Sequence, residues 1–277
     1  KIADFRDHLA PGTRVAVTSL PGGDWRDTLA TAVRLNREGM TPVPHVSARS
    51  IPDTQQLDEF VGALADQAGA CRAIVLAGAI DRPVGPFTSS MDILETSVFQ
   101  RFGIRQIGVA GHPEGSPDIP DAEIWRALRW KQEYAVRTGA EVEIVTQFAF
   151  EAAPLIAWDQ GLRDAGIRLP VRIGLPGLAT LKTLINHARA CGVGPSMRFL
   201  TRHARSVSKL MTVNAPDRLT ADLARHVDAD PESLIAGVHV YPLGGLKKSA
   251  GWANAVAAGA FTPHAEDPGF VLDRPVA

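Results

Sequence analysis

The run Pro120-Asp-Ala-Glu-Ile-Trp-Arg-Ala-Leu-Arg-Trp-Lys-Gln-Glu-Tyr-Ala-Val-Arg-Thr138, then Gly139, then Val142-Glu-Ile-Val-Thr-Gln147, holds one complete helix-to-strand unit. The helical stretch opens at a proline, stops at a glycine where a C′ residue belongs, and hands over to a β-branched run. Working outward, the same grammar recurs. Leu57, Phe60, Val61, Leu64 and Ala65 fall at i, i+3, i+4, i+7 and i+8 after Pro52, a good first helical residue, and Gly69 closes that segment. Trp25–Glu38 precedes Gly39, Glu151–Ala165 precedes Gly166, and Leu178–Cys191 precedes Gly192. The companion strands are Arg14–Thr18, Thr41–Val46, Ala73–Ala77, Gln106–Ala110, Val171–Leu175 and Gly237–Tyr241. Most are too continuously apolar for a sheet with one wet face, so both faces are expected to be covered, as in parallel sheets.

Seven such repeats at spacings of about thirty residues predict an α/β fold of the (β/α)₈ TIM-barrel type rather than a doubly wound sheet, as a single domain over 1–277. Two irregularities accompany it. The helical signal continues through Met197–Met211 and Leu219–His226, which predicts extra helices before the last strand. Ile2, Phe5 and Leu9 form a helical stripe ahead of the first strand, so the opening barrel strand is expected upstream of Lys1. Residues 260–277 are expected to be a surface tail.

With 29 Lys+Arg against 30 Asp+Glu the chain has no long-range field to gather phosphate backbones or anionic lipid, which argues against nucleic acid and membrane as partners. No apolar run approaches the ~20 residues of a membrane span, and Lys1-Ile2-Ala3-Asp4 does not read as a signal peptide, so a cytoplasmic location is expected. The two cysteines, Cys71 and Cys191, are far apart, which rules out a disulfide framework and a cysteine-based zinc site.

Active sites of such barrels lie at the C-terminal ends of the strands. Read there, the chain offers Thr18-Ser19, His45, Gly78, Gly111-His112-Pro113-Glu114, Gln147-Phe148, Leu175-Pro176 and Tyr241-Pro242. Polar strand ends also arise simply because loops begin there. Gln147 stands out, because an amide within an apolar run is costly unless it is paired. His45 and His112 are the better-placed histidines, whereas His239 suits a satisfied wall position and His187, His203 and His226 suit helix surfaces or ends. There is no G-x-S-x-G, H-E-x-x-H or C-x-x-C, and Gly244-Gly-Leu-Lys-Lys-Ser249 lacks the Walker spacing.

Four runs, in order, carry a resemblance: Pro44-His45-Val46, Val109-Ala-Gly-His-Pro-Glu-Gly-Ser-Pro-Asp118, Gly139-Ala-Glu-Val-Glu-Ile-Val-Thr-Gln-Phe148 and Val238-His-Val-Tyr-Pro-Leu243. Together the set resembles the methylenetetrahydrofolate reductase family, over most of the chain from Arg14 to about Gly251. The resemblance implies a (β/α)₈ barrel that holds FAD at the strand ends. It implies NADH or NADPH as electron partner and a tetrahydrofolate derivative as substrate, in either direction of the methylene-to-methyl interconversion. It makes Thr18, His45, Gly78, Gly111, His112 and Lys131 flavin neighbours. It makes Gln147, the candidate catalytic residue, a pterin-side contact, and Tyr241 a flank of the folate or nicotinamide. Leu181 stands where an aromatic residue often stacks on the substrate. Asp81 reaches the flavin pyrimidine edge if its loop folds back and is solvated otherwise. Ala77-Gly78-Ala79 replaces the usual Arg-Gly-Asp, His112 replaces a Tyr, and the family's general-acid Glu on the first barrel strand has no counterpart. Two alternatives stay open: a flavin-independent folate-barrel enzyme, and a non-catalytic folate- or flavin-binding relative. A monomer and a homo-oligomer are both compatible with the sequence.

Overall fold

The computed structural model describes residues 2–20, 22–190, 213–265 and 269–276. The chain divides into two compact units, Lys1–Ala110 with Trp130–Ile144, and Gly111–Arg129 with Val145–Ala277.

In the first unit β1 (Arg14–Val17), β2 (Thr41–Ser47), β3 (Arg72–Leu76) and β4 (Gln106–Gly111, of which all but Gly111 lies here) form parallel neighbours, with Val17 opposite Pro44, Ser47 opposite Leu76 and Val75 opposite Val109. Two amphipathic helices cover them, α1 (Trp25–Arg37) and α2 (Thr54–Ala68). Each starts on an aspartate whose carboxylate accepts an otherwise unpaired first-turn N–H: Asp24 from Arg26, and Asp53 from Gln56. Pro52 therefore precedes the cap instead of opening the helix. Gly69 ends α2 at φ +59°, the left-handed conformation that the closing glycine was expected to supply. Leu35, Leu57, Phe60, Val61 and Leu64 are buried, each contributing about 1.5–3 kcal/mol to this layer.

The helix expected over Ile2–Leu9 is a single 3₁₀ turn, Phe5–Asp7. Asp4 accepts from both the Arg6 amide and its guanidinium, and the Phe5 amide donates to Glu38 Oε2 at 2.5 Å, so the segment is tied down before a second turn can form. Between β3 and β4 the sequence reading had no element, yet α3 (Ser90–Glu95) and α4 (Val98–Arg101) lie there. Helices this short show no periodicity. The Ser89/Asp92 capping box is their one legible signal.

β5 (Glu141–Phe148) is shared: its first half belongs to the first unit and its second half to the second. The second unit adds α6 (Ala152–Asp164), β6 (Val171–Pro176), the short pair β7 (Ala179–Thr180) and β8 (Val213–Asn214), α7 (Leu181–Ala190), α8 (Asp217–Ala229), β9 (Ile235–Tyr241) and α9 (Leu246–Ala257). A long helix, α5 (Asp121–Thr138), joins β4 to β5. The hydrogen-bonded order is β1-β2-β3-β4-β5-β6-β9, a linear run of seven. The α/β class and all seven expected strands are thus present, while the closed eight-stranded ring is not among the described residues. Leu219–His226 falls within α8; Met197–Met211 and Cys191 lie outside the described residues.

The stretch 260–277, expected as a surface tail, carries an antiparallel hairpin of β10 (Phe261–Pro263) and β11 (Phe270–Leu272). Its anchor is Phe270, buried against Trp252 at 6.4 Å between ring centres and against Phe261 at 4.7 Å. Trp252 in turn donates its indole N–H to Asp217 at 2.6 Å, and burial raises the Asp217 carboxyl above its ordinary pKa. No described helix is long and apolar enough to cross a membrane.

Candidate functional site

In the second unit the end of β5 is built around a side chain standing in for the backbone. Thr146 is fully buried; its hydroxyl accepts the Gly174 N–H at 2.8 Å and donates to the Gln147 carbonyl at 2.9 Å. Both hydroxyl functions are used, and the backbone at Gln147 is fixed by them. The Gln147 side chain is half-buried, with Oε1 accepting the Phe148 N–H at 3.1 Å. Its carboxamide nitrogen has no partner among the described residues, leaving two N–H donors for a ligand.

Gly174 is the neighbour that makes this possible. A Cβ there would lie 2.7 Å from the carbonyl oxygens of both Thr146 and Gln147, backbone atoms that cannot swing aside. Gly174→Ala is therefore expected to prise β6 from β5, at a cost of about 2–3 kcal/mol in urea unfolding. The strand reading missed both residues as site determinants. A glycine inside an apolar strand was the available signal of close backbone approach.

Tyr241, at the end of β9, lies opposite Pro176 and donates its phenol to the Thr146 carbonyl at 2.9 Å. Its ring meets Phe148 at 5.5 Å and His239 at 4.7 Å, both edge-on. The hydroxyl is thus committed to β5, and only the ring is available to flank a ligand. Leu181, expected beside the substrate, is instead 4% exposed and packs with Phe148, Ala179, Leu184 and Ala188. It opens α7 directly after β7, so its side chain turns into the core. Gly111 is buried at the end of β4, and half-buried His112 begins the turn closed by the Gly115 N–H on its carbonyl.

In the first unit, Thr18 is exposed just past β1 and His45 is half-buried on β2. Gly78 follows β3 at φ +97°, and a Cβ there would come within 3.2 Å of Ser47 Cβ, so both conformation and space call for glycine. Asp81 is exposed. Its loop is clamped by Arg49, whose guanidinium donates to the carbonyls of Ile80 and Thr88, while the Arg49 amide donates to Ala77. This favours the solvated alternative for Asp81.

Lys131 follows Ile124 and Leu128 and precedes Tyr134 on the buried stripe of α5, and is itself 6% exposed. Its ammonium has no hydrogen-bond or ion-pair partner among the described residues. Burial alone depresses its pKa from 10.5 to about 8.

Asp159, His226 and Asp230 place three potential metal-ligand atoms within 4.8 Å of one another, on α6, α8 and the residue after α8. The Arg163 guanidinium already fills the cationic role there, 2.7 Å from Asp230 and 3.3 Å from Asp159. It holds the Asp230 carboxyl below the usual range. Asp159 also accepts the Leu234 N–H at 2.9 Å, just before β9 begins. This is a structural ion cluster at the starting end of β9, and it takes in His226, which the sequence reading had left on a helix surface or end.

No protein-family profile matches the chain. It is 37% identical over 95 residues to methylenetetrahydrofolate reductase 1 of Schizosaccharomyces pombe, covering 34% of this chain and 15% of that protein. It is 22% identical over 143 residues to methylenetetrahydrofolate reductase 2 of Saccharomyces cerevisiae, covering 50% of this chain and 22% of that one. Among solved structures it is similar to a 3-keto-D-glucoside 4-epimerase from E. coli, at 16% identity and a TM-score of 0.33, over 67% of this chain and 89% of the other. The chain spans less than a quarter of either curated relative's length, and over those stretches it is distantly similar to methylenetetrahydrofolate reductases.

Proposed function

We propose that the chain is a flavin-dependent oxidoreductase that interconverts 5,10-methylenetetrahydrofolate and 5-methyltetrahydrofolate, with FAD as cofactor and NADH or NADPH as electron partner. The observation that carries the reading is Gln147. Its oxygen is satisfied by the chain and its two N–H donors are uncommitted, at a strand end held by Thr146 and Gly174, where a pterin ring would present acceptors. The seven-stranded order is taken as part of a (β/α)₈ barrel, completed by an eighth strand.

The chemistry of the residues that the resemblance names supports a flavin. Lys131 is a buried ammonium without a counter-ion, suited to an anionic group such as a pyrophosphate. In the same unit Gly78 keeps a strand end free of side chain and Thr18 and His45 add a hydroxyl and an imidazole; in the second unit His112 adds an imidazole. Bound FAD would supply the hydride relay between nicotinamide and folate. Gln147 orients the pterin, and the Tyr241 ring, fixed by its hydrogen bond to Thr146, walls the substrate.

One observation favours the second reading, a flavin-independent or non-catalytic folate-binding relative. Among the described strand ends no carboxylate is buried: Asp81 is exposed, Glu114 is half-buried, and Asp217, whose pKa is raised, is held by Trp252. Purified protein titrated with FAD decides. Retained flavin absorbance, and a thermal shift equivalent to about 2.7 kcal/mol at a hundredfold excess over Kd, are expected; neither appearing at micromolar FAD sinks the flavin reading. With flavin bound, Gln147→Ala is expected to lower kcat/KM for methyltetrahydrofolate oxidation by roughly 10- to 100-fold at unchanged flavin content. His112→Ala is expected to loosen the flavin instead.

A further inference from the structure

The first unit contains a cavity of about 270 Å³ at the C-terminal ends of β1 and β2, beneath the starts of α1 and α2. We propose that it binds a neutral polyhydroxylated ring, a sugar or cyclic polyol. None of its lining residues is assigned to flavin or pterin above, and binding of a free sugar or polyol would stand whether or not the flavin reading does.

The polar lining consists of the hydroxyls of Ser19, Ser47 and Ser50 and the carboxamide of Gln56. None of these four side-chain groups has a hydrogen-bond partner among the described residues. Ser47 is the most buried of the four residues, at 8% exposed, and lines a cavity where a ligand hydroxyl can take the place of water. Each lining group can both donate and accept, which matches alcohols and not a fixed donor or acceptor edge.

The lining also includes Trp25 and Phe60, 5.2 Å apart and tilted, which offer apolar surface to the C–H face of a ring. Among the described lining residues the charged ones, Asp24 and Arg26, are paired with each other at 3.3 Å, and Arg26 also lies 4.6 Å over the Trp25 ring. An anionic or cationic ligand would find no free counter-charge. The volume lies just below the usual range for ligand pockets, about 300–1,000 Å³, so the occupant is one ring in size.

The ring can arrive as a free sugar or polyol, or as the sugar-like portion of a bound flavin dinucleotide. Saturation-transfer NMR and calorimetry on the whole chain, with D-ribose, D-glucose, myo-inositol, FAD and adenine as separate probes, distinguish these. At least one free sugar or polyol is expected to receive saturation and to bind with a millimolar Kd, as its about ten non-hydrogen atoms allow. Ser47→Ala, which removes the hydroxyl and adds no bulk, is expected to weaken that binding at least tenfold. Gln56→Leu, on a half-buried side chain, is expected to do the same and decides the issue if Ser47→Ala fails to fold. Transfer to the ribityl or ribose protons of FAD alone, lost in the same variants, supports the same chemistry with the cofactor as its source. Transfer to no probe, transfer to adenine alone, or binding undiminished in the folded variants overturns the proposal.

Discussion

Replacing Lys131 with methionine should make the protein more stable at pH 7 while weakening its hold on FAD. The ammonium is 6% exposed without a partner, and its pKa falls from the ordinary 10.5 to about 8 through burial alone. At about 1.4 kcal/mol for each tenfold change in proton affinity, holding that charge costs the fold roughly 3 kcal/mol. Methionine is one atom shorter but similar in volume, unbranched and flexible, and it removes the charge. The pH dependence has a definite sign. Below pH 8 both folded and unfolded chains carry the proton and the full cost is present. Between about pH 8 and 10.5 the unfolded chain binds more protons, so wild-type stability rises with pH and the advantage of Lys131→Met shrinks. Urea unfolding at pH 7 and at pH 10.5 measures both ends. A variant no more stable than wild type at pH 7 would show that the ammonium has a partner in solution. Loss of flavin retention in the same variant would identify the charge as one kept for the cofactor at the expense of stability.

The largest loss of stability is expected from Asp159→Ala, about 3 kcal/mol or more, or roughly 6–12 °C in Tm. The carboxylate is 1% exposed and serves two partners, the Leu234 amide and the Arg163 guanidinium. Its removal leaves both to be rematched inside the protein, immediately before β9. Asp159→Asn retains an acceptor for the Leu234 N–H and loses only the charge, so it should recover part of the difference. Equal losses in the two variants would assign the whole effect to the ion pair. Because the cluster lies at the starting end of β9, opposite to Tyr241, neither variant should alter flavin absorbance.

What the sequence disclosed follows the reach of its signals. The seven strands and the helices α1, α2, α5, α6 and α7 were legible because β-branched runs and closing glycines are local and repeat. The turn at Phe5–Asp7 was misread as a helix because an apolar stripe cannot reveal that Asp4 and Glu38 capture the backbone first. The hairpin at 261–272 escaped because its stability comes from Trp252, a residue of another element. At the site, Gln147 was singled out by its polarity within an apolar run and by resemblance, whereas Thr146 and Gly174 look like ordinary strand residues until the two strands are paired. Leu181 was carried in by resemblance, and its packing beside Phe148 is a tertiary fact that spacing does not encode.

The hydroxyl of Thr146 does for the Gly174 amide what a main-chain carbonyl does elsewhere in the sheet. The two positions are therefore expected to vary as one character, although 28 residues separate them. A lineage that exchanges the threonine for valine strands the amide, and one that gives the glycine a side chain drives it into the carbonyls beside the threonine, so each change closes off the other's neighbours in sequence space. Descendants should therefore keep both residues or depart from both together, and the conformation of Gln147 should be inherited with the pair.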